Sequence, residues 1–234
     1  MILILADILF PCFCVSCGNF VLSSDSNICK SCSASFETLN DGCPLCCGIM
    51  TEGHCTICED REFYPEKNII VFEYKKTVMD AIHALKFRGR KKVCKALAPF
   101  LKEKLDEIKS EIDLITFVPM LKDKIKKRGY NQSRLFAESI ADEWGKPVEN
   151  LLNERSKSGV QRDLNYTERF INVIDRYEIR ANSRITDKNI LIIDDVFTTG
   201  ATLNECARCL KNAGAKKVFT CAIARSDIRK PDSV

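Results

Sequence analysis

The sequence lacks an uninterrupted hydrophobic run long enough to cross a membrane. Its opening apolar stretch, Met1 to Pro11, is interrupted by Asp7 and has no basic residue before it. A membrane-spanning helix needs about 20 apolar residues, and a secretory signal begins with a positively charged region. We therefore expect no membrane span and a cytoplasmic location, with the opening residues forming a short helix packed on the body of the protein.

Positive charge is scarce in the first part of the chain. Residues 1–62 contain two Lys and Arg against eight Asp and Glu, a net charge of −6. Residues 63–234 contain 34 against 24, a net charge of +10. This asymmetry predicts that phosphates or nucleic acid would meet the second part. The chain of 234 residues suffices for one α/β domain, expected over 63–234, and a small domain over 1–62.

Cysteine is concentrated where basic residues are scarce. Ten of the 14 cysteines precede residue 60. Eight of them form C-x-x-C pairs, namely Cys14/Cys17, Cys29/Cys32, Cys43/Cys46 and Cys55/Cys58. In a reducing compartment such pairs are typical of zinc ligands rather than disulfides. Two pairs complete a tetrahedral site with no open position, so the zinc would be structural and would supply folding free energy.

The spacing of the cysteines leaves their grouping open. Sequential pairing places Cys14, Cys17, Cys29 and Cys32 in one site and Cys43, Cys46, Cys55 and Cys58 in another. An interleaved pairing is also compatible with the spacing, so one or two zinc ions are expected. Cys12 and Cys47 are left over, and His54 could replace a neighbouring ligand. A disulfide-rich secreted module is the alternative, which the missing export signal disfavours.

One stretch of the second part carries most of the chemistry. Ile190 to Ile193 are four aliphatic residues, as in a parallel strand buried on both faces, and Asp194 and Asp195 follow where that strand should end. A turn with the sequence T-T-G-A-T comes next and leads into an amphipathic helix with Gly214 as its stop. We expect this junction to be the functional site.

The residues of the junction fit a sugar phosphate. The N-terminus of a helix offers unpaired N–H groups and a partial positive charge to a phosphate, and Gly200 allows close approach of the backbone. The hydroxyls of Thr198, Thr199 and Thr202 can donate to phosphate oxygens. The carboxylates of Asp194 and Asp195 suit sugar hydroxyls, or Mg²⁺ reached through water.

Other segments are assigned by their periodicity. Strands are expected at Ile69–Tyr74, Ile112–Val118 and Lys217–Ala224, and helices around Val78–Leu85, Lys92–Ser110 and Phe136–Trp144. Five of the seven residues from Lys122 to Arg128 are basic, and we expect them to form a mobile cationic loop at the strand edge where α/β sheets bind ligands. The segment Arg155–Val173 is expected to be a flexible lid or a partly helical loop.

The stretch Ile190–Thr202 resembles the 5-phosphoribosyl-1-diphosphate (PRPP) motif of type I phosphoribosyltransferases. The order of motifs along the whole chain resembles the ComF/GntX family. The C-x-x-C pairs come first, followed by Val118-Pro119 and Arg128-Gly129-Tyr130-Asn131-Gln132, then by Gln161, Leu164, Arg169 and Asn172-Val173, and last by the PRPP motif. The resemblance implies a parallel sheet flanked by helices, with a small N-terminal domain of one or two zinc ribbons.

The resemblance also implies roles for individual residues. Asp194 and Asp195 would meet the ribose hydroxyls and Mg²⁺. The 5-phosphate would be cradled by Thr198, Thr199, Gly200, Ala201 and Thr202. The loop after Pro119, including Arg128, would approach the pyrophosphate.

Function is left between three hypotheses. The family resemblance implies a PRPP-binding competence protein that acts in DNA uptake during natural transformation, with uptake proteins and single-stranded DNA as partners. The alternative is an active phosphoribosyltransferase of nucleotide or base metabolism with an unknown acceptor, although no segment for recognising a base is identifiable. The third is an interaction module that docks a partner through its zinc ribbon. For single-stranded DNA, the candidate stacking residues among basic neighbours are Phe87, Tyr130 and Tyr166.

Overall fold

The computed structural model describes residues 11–22, 26–39, 42–43, 45–46, 50–52, 54–55, 62–155 and 173–226. Its strands are β1 (Cys12–Phe13), β2 (Phe20–Val21), β3 (Met50–Thr51), β4 (His54–Cys55), β5 (Lys67–Glu73), β6 (Leu114–Phe117), β7 (Leu152–Glu154), β8 (Tyr177–Ile179), β9 (Asn189–Phe197) and β10 (Lys217–Arg225). Its α-helices are α1 (Lys30–Ala34), α2 (Lys76–Phe87), α3 (Val93–Leu105), α4 (Lys122–Arg128), α5 (Gln132–Trp144) and α6 (Ala201–Asn212). A 3₁₀ turn, Asp106–Ile108, follows α3.

A parallel four-stranded sheet forms the centre of the body. Its order is β5-β10-β9-β6, and each neighbouring pair is parallel. Ile190 to Ile193 on β9 are fully buried, because β9 has a strand on each side and apolar packing on both faces. The expected parallel α/β class is therefore confirmed.

Helices cover both faces of this sheet. Apolar residues of α2, α3 and α5 pack in one cluster with Leu191 and Ile193 of β9. Residues of α6 pack in a second cluster with Ile190 and Ile192, which point to the opposite face because side chains alternate along a strand. The expected apolar stripe of α6 is confirmed: Leu203, Cys206, Ala207 and Leu210 are all buried.

The described residues between Cys12 and Cys55 form the cysteine-rich segment, and part of this segment runs along the edge strand β5. The backbone N–H of Leu39 donates to the carbonyl of Val71 at 2.9 Å, and Thr38 bridges Phe72 in the antiparallel sense. This pairing covers part of a sheet edge that would otherwise expose unpaired backbone groups. Buried residues of the segment, including Val21, Ile28 and Phe36, belong to the same apolar cluster as α2 and α3.

Three features differ from the sequence-based expectations: the end of one strand, one helix and one pair of strands. Strand β9 does not stop before the acids but continues through Asp194 and Asp195 to Phe197, because β10 keeps pairing with it as far as Arg225. The expected loop at Lys122–Arg128 is wrong: these residues form α4, which ends at Gly129 in the left-handed conformation. The antiparallel pair β7–β8 was not anticipated from the sequence.

Two predicted segments lie outside the described residues. They are the opening helix within residues 1–10 and nearly all of the lid, residues 156–172. Among the described residues, none of the helices combines the length and the hydropathy needed to cross a membrane.

Candidate functional site

The paired acids lie within the last four residues of β9, at the carboxyl end of the sheet. Asp195 is only 8% exposed, whereas Asp194 is partly exposed. Ligands of α/β proteins bind beyond the carboxyl ends of parallel strands. The two neighbouring carboxylates therefore lie where a ligand is expected, but they differ in access to it.

Both carboxylate oxygens of Asp195 are occupied by protein groups. The Lys86 ammonium, at the end of α2, lies 2.9 Å from Oδ1. The side-chain amide of Gln132, at the start of α5, donates to Oδ2 at 2.6 Å. A charge-assisted contact on one oxygen and an amide donor on the other hold this carboxylate in one orientation.

Asp194 has an oxygen that remains available. Its Oδ1 accepts hydrogen bonds from the Ser133 hydroxyl at 3.0 Å and from the Asp195 backbone N–H at 2.8 Å. Within the described part of the chain, Oδ2 has no hydrogen-bond donor. Burial, with the neighbouring charge of Asp195 second, raises the pKa of Asp194 to about 7. Asp194 is therefore the member of the pair that can accept a ligand hydroxyl.

The N-terminus of α5 positions two of these partners. The Asn131 side chain caps the helix by accepting from the N–H groups of Ser133 and Arg134, and its Nδ2 donates to the Val118 carbonyl at 2.9 Å. The cap thus joins the start of α5 to the end of β6. Gln132 and Ser133, the next two residues, are brought beside the acids as a consequence.

The threonine–glycine turn links β9 to α6. Gly200 has φ +81°, and a Cβ at this position would lie 2.5 Å from Cζ of Phe197. Only glycine meets both constraints without strain. Gly200 offers no side chain to cap α6, and apart from the Ala201 N–H, which donates to Thr199 Oγ1, the first N–H groups of the helix have no side-chain partner among the described residues and remain available to an anion.

The threonines of the turn are not equivalent. The Thr198 side chain is exposed and Thr202 is partly exposed. Thr199 is buried, and its Oγ1 accepts from the Ala201 N–H at 3.3 Å. Thr199 therefore shapes the turn, while Thr198 and Thr202 present hydroxyls to the outside.

Pro119 and Arg128 stand in different relations to the acids. Pro119 is buried two residues after the end of β6. The residue before it, Val118, donates its backbone N–H to the Ile193 carbonyl of β9 at 3.0 Å. The Arg128 guanidinium lies 5.5 Å from the centre of the Phe87 ring. The structure thus places Pro119 at the carboxyl end of the sheet, as it does the acids, and Arg128 beside Phe87, an exposed aromatic residue of α2.

Two groups of cysteines come together as the sequential pairing predicts. The Sγ atoms of Cys14, Cys17, Cys29 and Cys32 lie within 4.8 Å of one another, and so do those of Cys43, Cys46 and Cys55. Cys58 and Cys47 lie outside the described residues. Backbone N–H groups of Cys29 and Leu45 point to Cys14 Sγ and Cys43 Sγ, both at 3.4 Å.

The first cysteine group fits a zinc ion by its chemistry. The Ser31 hydroxyl lowers the pKa of Cys29 to about 6. Burial and the neighbouring thiols raise the pKa of Cys32 to about 12. Four thiolates so close together need a compensating cation, and N–H donors to the sulfurs are the usual outer contacts of a Cys₄ zinc site.

The acids fit a divalent cation less well. Mg²⁺ prefers oxygen ligands in regular octahedral geometry. Both oxygens of Asp195 are already engaged, one of them by an ammonium group. Direct chelation of Mg²⁺ by Asp194 and Asp195 together is therefore not supported by these contacts.

Lys86, Gln132 and Ser133 are site residues that were not expected from the sequence. Gln132 belongs to the quoted family motif, but the sequence assigned no role to it, and Lys86 follows directly after the helix expected at Val78–Leu85. A signal existed for α5, because Asn131 before an amphipathic run predicts a helix cap. No local signal exists for Lys86, since its partner follows much later in the chain.

Comparisons with known proteins agree with the fold class. The family "Phosphoribosyl transferase domain" matches residues 131–233. A purine phosphoribosyltransferase from Pyrococcus horikoshii is 18% identical, covering 70% of this chain and 84% of its own, at a TM-score of 0.35. A likeness that distant carries no argument. The parallel sheet flanked by helices and the domain match over residues 131–233 define a fold of the phosphoribosyltransferase-like class.

Whole-chain relatives narrow that class. Competence protein ComFC of Streptococcus pneumoniae is 30% identical over 209 residues, covering 87% of this chain and 90% of that protein. Competence protein ComFC of Bacillus subtilis is 28% identical, with 88% of each covered. DNA utilization protein YhgH of Escherichia coli is 26% identical, with 92% of this chain and 98% of that protein covered. The chain belongs to the ComF family of competence proteins.

Proposed function

We propose that this protein binds PRPP, or another ribose 5-phosphate ligand, at the carboxyl end of β9 and acts in DNA uptake during natural transformation. One observation carries the binding proposal: the open carboxylate oxygen of Asp194 and the uncapped N-terminus of α6 belong to one continuous strand–turn–helix unit. A ribose 5-phosphate carries hydroxyls at one end and a phosphate at the other, and it matches both features.

Each part of the ligand has a proposed partner. Asp194 accepts from a ribose hydroxyl, while Asp195 is held by Lys86 and Gln132 and orients the pair. The backbone and hydroxyls from Thr198 to Thr202 surround the 5-phosphate. The segment after Pro119 approaches the pyrophosphate of PRPP, with Arg128 and the exposed lysines of α4 supplying positive charge.

The biological setting rests on relatives alone. Two relatives are named competence proteins, and a third is named for DNA utilization. Because these matches span about nine-tenths of the chain, a role in the same process is the simplest proposal. The cysteine-rich domain over residues 1–62 is proposed to be a double zinc ribbon that holds two structural zinc ions.

Thermal unfolding tests the binding proposal. PRPP at about one hundred times its dissociation constant should stabilise the zinc-loaded protein by roughly 2.7 kcal/mol. Asp194→Asn should lose most of this stabilisation, since the amide offers a donor where an acceptor is needed. Asp142→Asn, an exposed position on α5, is the matched control and should behave as wild type. Equal stabilisation of both variants, or none in wild type, would contradict the proposal.

A second candidate function is the binding of single-stranded DNA near Phe87. The Phe87 ring is 70% exposed, has the Arg128 guanidinium beside it and is followed by Arg88, Arg90 and Lys91. An exposed aromatic ring among cations suits base stacking and phosphate contact. The earlier candidate Tyr130 is wrong, because its ring is buried and its hydroxyl donates to the Leu85 carbonyl. Tyr166 lies outside the described residues.

A salt series tests this second candidate. Binding of a single-stranded oligonucleotide should weaken steeply as salt rises, because phosphate contacts release counterions. Phe87→Ala should lower affinity by roughly fivefold or more at constant salt, the effect of losing one stacked base. Phe13→Ala, an exposed phenylalanine on the cysteine-rich segment, is the control. Affinity that does not change with salt would contradict the proposal.

A further inference from the structure

Lys86 brings a positive charge into the acid pair. Its ammonium lies 2.9 Å from Asp195 Oδ1, with the two side chains 21% and 12% exposed. The other ion pairs of lysine in the described residues join side chains of which at least one is more than 40% exposed. Lys86–Asp195 is therefore the lysine pair most removed from water in that part of the chain.

Because the pair is removed from water, a contribution to stability alone does not explain it. Taking both charges out of water costs free energy, and the attraction between them does little more than offset this cost. Two adjacent carboxylates with no cation would be more costly still, because like charges repel in a poorly solvated site. A proton on Asp194 or a nearby cation can relieve this repulsion, and the chain supplies a cation of its own.

The position of the ammonium is fixed by packing. Ile82 and Leu85 of α2 are fully buried, and the Leu85 carbonyl accepts from the Tyr130 hydroxyl. Tyr130 leads into the capped start of α5, which carries Gln132. The groups on the two oxygens of Asp195 are thus held by one connected structure, in which the Gln132 Oε1 is also buried and has no partner among the described residues.

We infer that Lys86 is a built-in counter-cation that takes the place of a divalent metal ion at the Asp194–Asp195 pair. Asp195 and Lys86 form the fixed part of the site, and Asp194 presents its open oxygen to the ligand. The inference rests on the proposed ribose 5-phosphate site. It adds that the acid pair binds no metal directly and that ribose 5-phosphate, which lacks a pyrophosphate, binds without Mg²⁺.

The first test needs no organic ligand. Mn²⁺ is titrated into the zinc-loaded protein, and free Mn²⁺ is followed by electron paramagnetic resonance. Lys86→Met should bind one Mn²⁺ more than wild type, because the carboxylates lose their ammonium and gain a vacant cation position. Lys86→Arg, which keeps the charge, and Lys76→Met, an exposed lysine at the start of α2, should resemble wild type. The double variant Lys86→Met/Asp195→Asn should lose the extra ion.

Two outcomes of the Mn²⁺ titration would overturn the inference. One is a wild-type protein that already binds the ion in a manner removed by Asp195→Asn. The other is a Lys86→Met variant that is folded by circular dichroism and gains no ion. Both outcomes concern the acid pair itself, so the result does not depend on whether the natural ligand is a ribose phosphate.

The second test measures ribose 5-phosphate binding in buffer with and without added Mg²⁺. No chelator is used, so that zinc stays on the cysteines. The affinity of the wild type for ribose 5-phosphate should be nearly unchanged when Mg²⁺ is added. The affinity of Lys86→Met should rise roughly tenfold or more on addition of Mg²⁺, which is the equivalent of one charge-assisted interaction. A wild type that requires Mg²⁺ would overturn the inference and leave the binding site standing. A wild type that binds ribose 5-phosphate and PRPP under neither condition would overturn the proposed function instead.

Discussion

The cysteine-rich segment and the acid pair at the end of β9 face the same electrostatic problem. In each, side chains of one kind converge: four thiols in the first cysteine group, and two carboxylates at the carboxyl end of the sheet. The cysteines offer every ligand atom to an external cation. The acids instead have one oxygen taken by the Lys86 ammonium of the same chain. The first region is therefore expected to depend on a metal for its fold, and the second to be complete without one.

Removal of zinc should have the largest effect and should separate the two regions. A strong chelator should unfold residues 11–55, because structural zinc supplies folding free energy on the order of 10 kcal/mol or more to such small segments. The body supplies most of the apolar residues on both sheet faces, although the cysteine-rich segment adds a few to each cluster, and it should stay folded. Hydrogen exchange resolved by segment measures both.

A matched zinc-ligand variant controls for side effects of the chelator. Cys14→Ser should reproduce the loss of protection in the segment, whereas Cys94→Ala, a buried cysteine of α3, should leave it intact. Joint unfolding of body and segment at the same chelator concentration would contradict the comparison.

Removal of the internal cation should have a smaller effect on stability. Lys86→Met leaves Asp195 with only Gln132 as a partner and two uncompensated carboxylates, so the free energy of unfolding should fall by roughly 2 to 4 kcal/mol at neutral pH. Lys67→Met, which breaks the exposed pair with Glu107, should cost less than about 1 kcal/mol. Urea unfolding of the two variants makes the comparison, and equal losses would show that Lys86 is only another surface cation.

Protonation of Asp194 should have the smallest effect. Because its pKa in the folded state is raised to about 7, from an ordinary value near 4, the folded state favours the neutral acid. Its contribution to stability is therefore full below about pH 4 and is lost as the pH rises through 7. Asp194→Asn should be more stable than wild type by roughly 1 to 3 kcal/mol at pH 8, with the difference vanishing near pH 4. Stability curves that run parallel across this range would refute the assignment.

Much of the fold was predictable because its signals are local. The aliphatic run Ile190–Ile193 indicated a strand with neighbours on both sides, and the apolar stripe after Gly200 indicated a helix. The end of β9 was not predictable, because it is set by pairing with β10 rather than by its own residues. Helix α4 was mistaken for a loop, because six of its seven residues are charged and no apolar stripe marks it.

The site was predictable only in its contiguous part. Asp194, Asp195 and the turn that follows are adjacent in sequence, so their proximity needed no knowledge of packing. Lys86, Gln132 and Ser133 reach the acids through the packing of α2 and α5 on the sheet. Equal roles for the two acids were expected, yet their contacts differ, because these helices engage both oxygens of Asp195 and only one oxygen of Asp194.

Calorimetric titration of ribose 5-phosphate into wild type, Asp194→Asn and the control Asp142→Asn tests the central claim most directly. The account predicts one site in wild type and a loss of affinity of roughly tenfold or more in Asp194→Asn, since its open acceptor is replaced by a donor. Asp142→Asn should titrate as wild type. Absence of binding to wild type, or wild-type affinity in Asp194→Asn, would contradict the claim that the end of β9 is a ribose 5-phosphate site.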